Sequence, residues 1–375
     1  MDNTFITPSI VAREALPILV NNTVMGALVH TDYSNEFQKV GDTVTVTKPA
    51  SFTAVEFDGD LTGEYQNITE SSVAVKLDKL ATVDVVVTAK QLTLDIASFN
   101  EQVTKPAIEA LIQKIDNDLT GLYINVPYFY GAAGTTPDAL TDISGVRGVL
   151  NNNKVPMKMR NLVIDTEADV EFTALDIFAR VDATGSTAGL LEASLGKKLG
   201  LAMFMDQNIR THTAGGITAL EDVTITTGAA LATSIVLTSG AGTSTAKLLA
   251  GDVFTLDGNQ YVVTADTAAA ADGVVTVAIY PEIPVAFGDM GAVTVAFQAT
   301  HVASMAFHKN AFALVSRPLE MPMGGASAYV TSIGNGVNVR VVMSYDQDLK
   351  TNKISFDILY GVKTLYPELA ARLLG

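Results

Sequence analysis

Residues 98–126 constrain this chain more than any other stretch. Val103, Ala107, Leu111, Ile115, Leu119, Leu122 and Val126 recur every three or four positions, the spacing that lines one face of a helix. Glu101, Lys105, Glu109, Gln113, Asp116 and Asp118 fall between them and read as the solvated face. Ser98 followed three residues later by Glu101 fits a capping box, in which each side chain satisfies a free backbone N–H. Pro106 sits inside the pattern and predicts a kink. A helix over 104–126 would be about 34 Å long at 1.5 Å per residue, more than a small domain needs for its own core. The stretch reads as a spine, with an ordinary core helix of an α+β domain as the plainer alternative.

At 375 residues the chain has room for two or three domains. Hydrophobic residues make up 48% and charged residues 17%, so we expect surface to be buried between subunits. The net charge of −16 argues against binding to a phosphate backbone as the main activity. There is no cysteine, which excludes disulfides, thiolate zinc sites and cysteine nucleophiles. Arg13, Glu14 and Pro17 interrupt the first thirty residues, so no signal peptide is expected, and no run reaches the roughly 18 apolar residues that span a bilayer.

Taken in order, residues 1–40 read as an N-terminal arm with weak helical spacing at Ile10, Ala15, Leu19 and Val24. Residues 41–90 switch to period two, with Val44 and Val46, then Val73, Val75 and Leu77, alternating with polar positions. Between these runs lies a Gly-, Asp- and Thr-rich segment, so the region reads as an extended β-arm that must find burial on a neighbour. Residues 91–213 and 301–375 form an α/β core around the spine. Within it, 161–165 reads as a buried strand, a helix starts near Thr166 and carries Val170, Phe172, Leu175 and Phe178, and a second helix covers 190–199. In 337–345 and 353–359 two extended runs flank a polar turn, a half-buried hairpin. Composition shifts over 214–300, where Lys247 is the only basic residue against eight acidic ones. Six strand-like runs, with a hairpin turn at Asp257-Gly258, predict a small inserted β-barrel or sandwich.

Catalytic patterns are sparse. His30, His212, His301 and His308 are scattered and read as structural. The run 58–64 begins like a calcium loop, with Asp58, Asp60 and Glu64 as candidate ligands, but Thr69 stands where a bidentate Glu belongs; it reads as a solvated arm tip. Phe52, Phe57 and Tyr65 in the same irregular segment are candidate assembly contacts. No cofactor, no metal and no enzymatic activity is expected.

The closing segment, Ile358-Leu359-Tyr360-Gly361-Val362-Lys363-Thr364-Leu365-Tyr366-Pro367-Glu368, resembles the C-terminal signature of major capsid proteins of tailed double-stranded DNA bacteriophages, in the branch with an inserted β-barrel. Tyr360, Gly361, Val362, Pro367 and Glu368 carry that signature, and 312–319 and 251–258 agree with it. The order of parts is similar too. The resemblance implies an α+β capsid fold of N-terminal arm, β-arm (E-loop), spine helix 98–126, peripheral and axial domains and inserted barrel. It implies a coat subunit that self-assembles into hexamers and pentamers of an icosahedral virion shell, made in the host cytoplasm with scaffolding and portal partners. The shell would enclose DNA without binding it specifically and would use no membrane. An encapsulin-like nanocompartment is the alternative within the fold; a β-rich adhesin module and an enzyme with a β-insertion are the alternatives outside it.

Overall fold

The computed structural model describes residues 24–31, 43–48, 71–88, 100–179, 195–215, 223–227, 232–239, 247–256, 258–267, 274–283, 295–322, 327–332 and 337–375. Ser98 of the expected capping box, most of the arm 1–40 and the whole of 49–70 lie outside them. The described backbone divides into two compact units. One takes in Thr31–Leu111 and Leu314–Leu365; the other takes in Val20–His30, Ile112–Ala313 and Tyr366–Gly375.

In the first unit, Thr43–Lys48 and Ser71–Lys76 pair antiparallel from Thr43↔Lys76 to Lys48↔Ser71, as the period-two runs predict. The long strand Thr351–Thr364 organises a five-stranded sheet. It pairs with Asn338–Asp346 on one side, the expected hairpin, and with Lys79–Thr88 on the other. Ile354, Phe356, Ile358 and Tyr360 alternate into the core. Asp357 is buried on the opposite face, where its directly opposed neighbour Arg340 donates from Nε at 3.0 Å and Nη2 at 2.5 Å.

The spine begins as a π-helical turn, Asn100–Thr104, continues as helix α2 (Lys105–Thr120) and tightens into a 3-10 turn, Gly121–Asn125. The expected irregularity at Pro106 falls one residue earlier, where the helical pitch changes. Ala107, Leu111, Ile115, Leu119 and Val126 are buried as the spacing requires. The expected polar face is wrong at Asp116 and Asp118, which are also buried. Asp118 accepts from Lys114 Nζ at 3.3 Å. Asp116 caps another element: helix α1 (Met25–Leu28) has no side-chain cap of its own, and the Asp116 carboxylate accepts from Val24 N at 3.1 Å and Gly26 N at 3.2 Å.

The second unit is built on a mixed sheet in the order Phe129–Tyr130, Ala370–Leu374, His301–His308, Arg160–Ile164, Leu201–Met205, Lys197–Lys198, with Thr211–His212 paired to the start of His301–His308. The strand read at 161–165 is there, buried along its whole length. Helices α3 (Leu140–Asn152) and α4 (Thr166–Ala174) send Ile143, Val146, Leu150, Ala168 and Phe172 into one core with the sheet. The helix expected to run on through Phe178 breaks after Ala174, and Val170 is 65% exposed because it faces away from Phe172. The helix expected over 190–199 is corrected in its described part: Lys197–Lys198 is a short strand antiparallel to Leu201 and Ala202.

Within 214–300 the described strands form an antiparallel sheet in the order Ala296–Phe297, Val253–Leu256, Asn259–Val263, Val274–Tyr280, Ser234–Ser239, Val223–Thr227. The expected hairpin is present, with Leu256 opposite Asn259 and Gly258 at φ +76°, a conformation glycine tolerates without a Cβ clash. The expected closed barrel is not seen among the described residues. The two outer strands do not pair with each other, and Ala296–Phe297, two residues long, is too short for a second ladder. A common core nevertheless gathers Ile235, Phe254, Tyr261, Val277, Ile279 and Phe297.

Burial raises the Asp116 carboxyl to about 7, outweighing the two backbone donors that favour its charged form. The folded state therefore holds a proton that the unfolded chain releases near pH 4, so Asp116 costs stability as pH rises from about 4 to about 7. Denaturant unfolding across that window should show Asp116→Asn gaining on the parent by on the order of 1 kcal/mol per pH unit, with no further change above the window.

Candidate functional site

The most unusual chemistry in the second unit surrounds Arg372, whose strand Ala370–Leu374 is buried at every position. A charge there must find partners, because desolvating an unpaired ion costs several kcal/mol or more. Its Nη1 donates to Gly251 O at 2.7 Å, and its guanidinium carbon lies 5.1 Å from the centre of the Tyr123 ring. Desolvation lowers its pKa to about 9, which leaves it charged at neutral pH. Nε and Nη2 have no hydrogen-bond acceptor among the described residues.

A hydrogen-bonded chain runs beside it. Tyr123, in the 3-10 turn after α2, lies 3.0 Å from His212 Nδ1, and His212 Nε2 lies 2.8 Å from Asp252 Oδ1. Asp252 also accepts from Gly215 N through both oxygens at 3.2 Å and from Leu249 N at 2.8 Å. The Asp252 side chain is the acceptor on which these donors converge, and His212 links it to the Tyr123 hydroxyl. Burial pushes the Tyr123 phenol up, which keeps it a neutral donor. His301 packs its ring 5.2 Å from His212 and donates from Nδ1 to Ala299 O at 2.7 Å. Desolvation lowers its pKa to about 4, so it is neutral at physiological pH.

The chain has the outline of a catalytic relay, but the His212 and Asp252 side chains are 4% and 3% exposed, and no reactant reaches them. The arrangement is a structural joint. Gly215, Leu249, Gly251 and Asp252 come from 214–300; Tyr123, His212, His301 and Arg372 come from the α/β elements before and after it. Gly251 is required at the joint, because at φ +100° its Cβ would meet Ile124 and His212 at 3.0 and 3.1 Å. Nearby, Gln260 mimics a strand edge, accepting from Phe129 N at 3.0 Å and donating to Phe129 O at 2.7 Å. Phe129, Val253, Val262 and Leu374 bury one another alongside, with Tyr280 packed against them.

The signature residues read from the sequence fall in two places. Tyr360 is buried in the first unit, Val362 is half-buried, and Gly361 is dictated by close approach, because a Cβ there would lie 2.2 Å from Lys76 O. In the second unit Pro367 opens a 3-10 turn and the Glu368 carboxylate accepts from the Tyr280 hydroxyl. Phe52, Phe57 and Tyr65, and the candidate ligands Asp58, Asp60 and Glu64, lie outside the described residues. Among the described residues no group of three or more His, Cys, Asp or Glu is placed to hold a metal ion, and no helix is long and apolar enough to cross a membrane. Sequence reasoning missed the joint. Its one signal was Arg372, a lone charge in the apolar run Ala370-Ala371-Arg372-Leu373-Leu374.

Known proteins bear on this architecture through structure alone. No protein-family model and no curated protein matches the chain. A chain from Mycobacterium phage Che8 is similar over 94% of this chain and 91% of its own, at 16% identity and a TM-score of 0.53. The capsid of cyanophage P-SCSP1u is similar over 94% and 88%, at 12% identity and a TM-score of 0.49. The mature capsid of bacteriophage PhiM1 covers 100% of this chain and 89% of its own, at 9% identity and a TM-score of 0.48. The chain shares its fold with the Che8 phage chain.

Two substitutions test the packing. Asp252→Ala strands three buried donors and leaves Arg372 without a nearby anion, so chemical unfolding should show a loss of roughly 3–5 kcal/mol. Gly361→Ala forces the backbone away from Lys76 and should cost about 1–3 kcal/mol, seen as a lower melting temperature.

Proposed function

We propose that the chain is a major capsid protein, a subunit that associates with copies of itself as hexamers and pentamers and closes the icosahedral shell of a phage virion. One observation carries the reading: the likeness to the Che8 phage chain runs over nearly the whole of both molecules, so the fold as a unit is what the two share. The role is structural rather than catalytic, and the sealed Tyr123–His212–Asp252 chain supports that, since its polar groups serve cohesion. Self-association is supported by the strand Lys79–Thr88, which exposes Leu80 and Val86 by 56% and 57%. Large apolar side chains held out on one strand suit a covering partner.

In this reading 1–40 is an arm and 41–90 the β-arm (E-loop), which places Phe52, Phe57 and Tyr65 against a neighbouring copy. Residues 91–213 and 301–375 form the peripheral and axial core, and 214–300 is an inserted domain of the small-barrel class. The net charge of −16 suits a container that holds DNA without specific binding. Scaffolding and portal proteins are the expected further partners, and the host cytoplasm the place of synthesis.

Electron microscopy and light scattering of the purified full chain should find hollow particles, alone or with a scaffolding partner. Small oligomers under every salt and scaffold condition would sink the reading. Deleting 52–66 should leave a folded subunit that assembles poorly, whereas normal shells from the deletion would remove the β-arm from the interface.

A further inference from the structure

Between Asp142 and Asp165 the chain carries no acidic residue and four basic ones, Arg147, Lys154, Lys158 and Arg160. The next stretch reverses this, with five acidic residues and no basic one across 165–176. The strand Arg160–Ile164 lies between the two blocks and spans about 17 Å at 3.3 Å per residue, so opposite charges sit at opposite ends of one central strand.

The basic end is a prearranged loop. Lys154 and Met159 both adopt φ +56°, a left-handed conformation uncommon for side-chain-bearing residues. Arg160, itself buried, fastens the loop from within, donating from Nε to Pro156 O at 2.9 Å, from Nη2 to Val155 O at 2.5 Å and from Nη1 to Asn151 Oδ1 at 2.8 Å. Met157 and Met159 are thereby held out, 70% and 65% exposed, beside the exposed Lys154 and Lys158. The acidic end is the outer face of α4. Glu167 and Glu171 stand one turn apart, a like-charge pair that weakens the helix, and the helix has no cation to offset them. Val170, 65% exposed, lies between them. One end thus offers methionines flanked by ammonium groups, and the other an apolar side chain flanked by carboxylates.

We propose that loop 154–159 of one subunit docks on the outer face of α4 of the next, with Met157 and Met159 against Val170, and Lys154 and Lys158 against Glu167 and Glu171. The inference rests on the shell-subunit reading. The two patches differ and lie at opposite ends of a strand, so the contact is head-to-tail; a docked pair keeps one free patch of each kind, and repetition builds a ring where the rotation closes, not a two-fold dimer. A phosphate backbone would satisfy the loop but leave the α4 carboxylates uncompensated, so a second copy fits both ends better.

The test uses the full chain under the condition in which the wild type yields particles. Reversing the loop (Lys154→Glu with Lys158→Glu) or the helix (Glu167→Lys with Glu171→Lys) should raise the protein concentration needed for assembly tenfold or more. Circular dichroism should meanwhile show a folded subunit. Combining all four substitutions in one chain places opposite charges at every contact again and should restore particles, whereas mixing the two variants one to one does so only where they alternate around an even-membered ring and should restore hexamers. If the wild type forms no particles, the shell reading fails. If it does and the single reversals assemble normally, or neither mixing nor combination rescues them, this contact is overturned and the shell reading stands. Loss of binding to a short DNA duplex by the loop variant, with normal assembly of the helix variant, would assign the loop to phosphates instead and also overturn it.

Discussion

Much of the second unit depends on a guanidinium held with no access to water. Arg372 is fully buried in a strand whose other members are Ala and Leu, and the cost of dehydrating it is offset by the Gly251 carbonyl, the Tyr123 ring and the charge of Asp252. Because Gly251 and Asp252 lie beside the strands of 214–300 and Arg372 in the mixed sheet, the requirement to satisfy one charge locks two parts of the fold together. Tyr123 and His212 extend the lock into the turn after α2 and the strand Thr211–His212. Each polar group is affordable only while the others are in place, the behaviour expected of a buried network whose members fail together.

Buried titratable groups in this unit pull against one another. His301, with its pKa lowered to about 4, loses stability as pH falls below about 6.5, because the unfolded chain takes up a proton that the folded one refuses. Asp116, raised to about 7, acts in the reverse sense over much of the same range. Their opposed slopes flatten the response of this unit to mild acid.

The legible parts of the sequence were those in which local pattern and tertiary placement agree. The spine showed through its apolar period, the strand at 160–164 through the apolar triplet Leu162-Val163-Ile164, and the hairpin at Gly258 through the positive φ that its turn demands. What could not be read depends on partners far away in the chain. Asp116 occupies a polar position by spacing, yet it is buried because α1, nearly a hundred residues earlier, has two free N–H groups and no cap of its own. His212 and Asp252 looked like single polar residues until the fold set them 2.8 Å apart. Barrel closure is not legible either: alternation gives each strand an inner face but says nothing of whether the first and last strands pair, and among the described residues they do not. Gly361 stood out as part of a signature, and only the nearby Lys76 carbonyl supplies its physical reason.

The order of strands in the central sheet governs timing as well as shape. Ala370–Leu374 is inserted between Phe129–Tyr130 and His301–His308, so the edge strand Phe129–Tyr130 has no link to the rest of the sheet until Ala370–Leu374 arrives. Closing contacts between such distant segments is entropically slow, and nothing local substitutes for the absent strand. A nascent chain therefore cannot complete this sheet, or bury Arg372, while residues in the 370s are still within the ribosome. Completing the sheet is therefore paced by the last-made of its described strands, however early the others are ready.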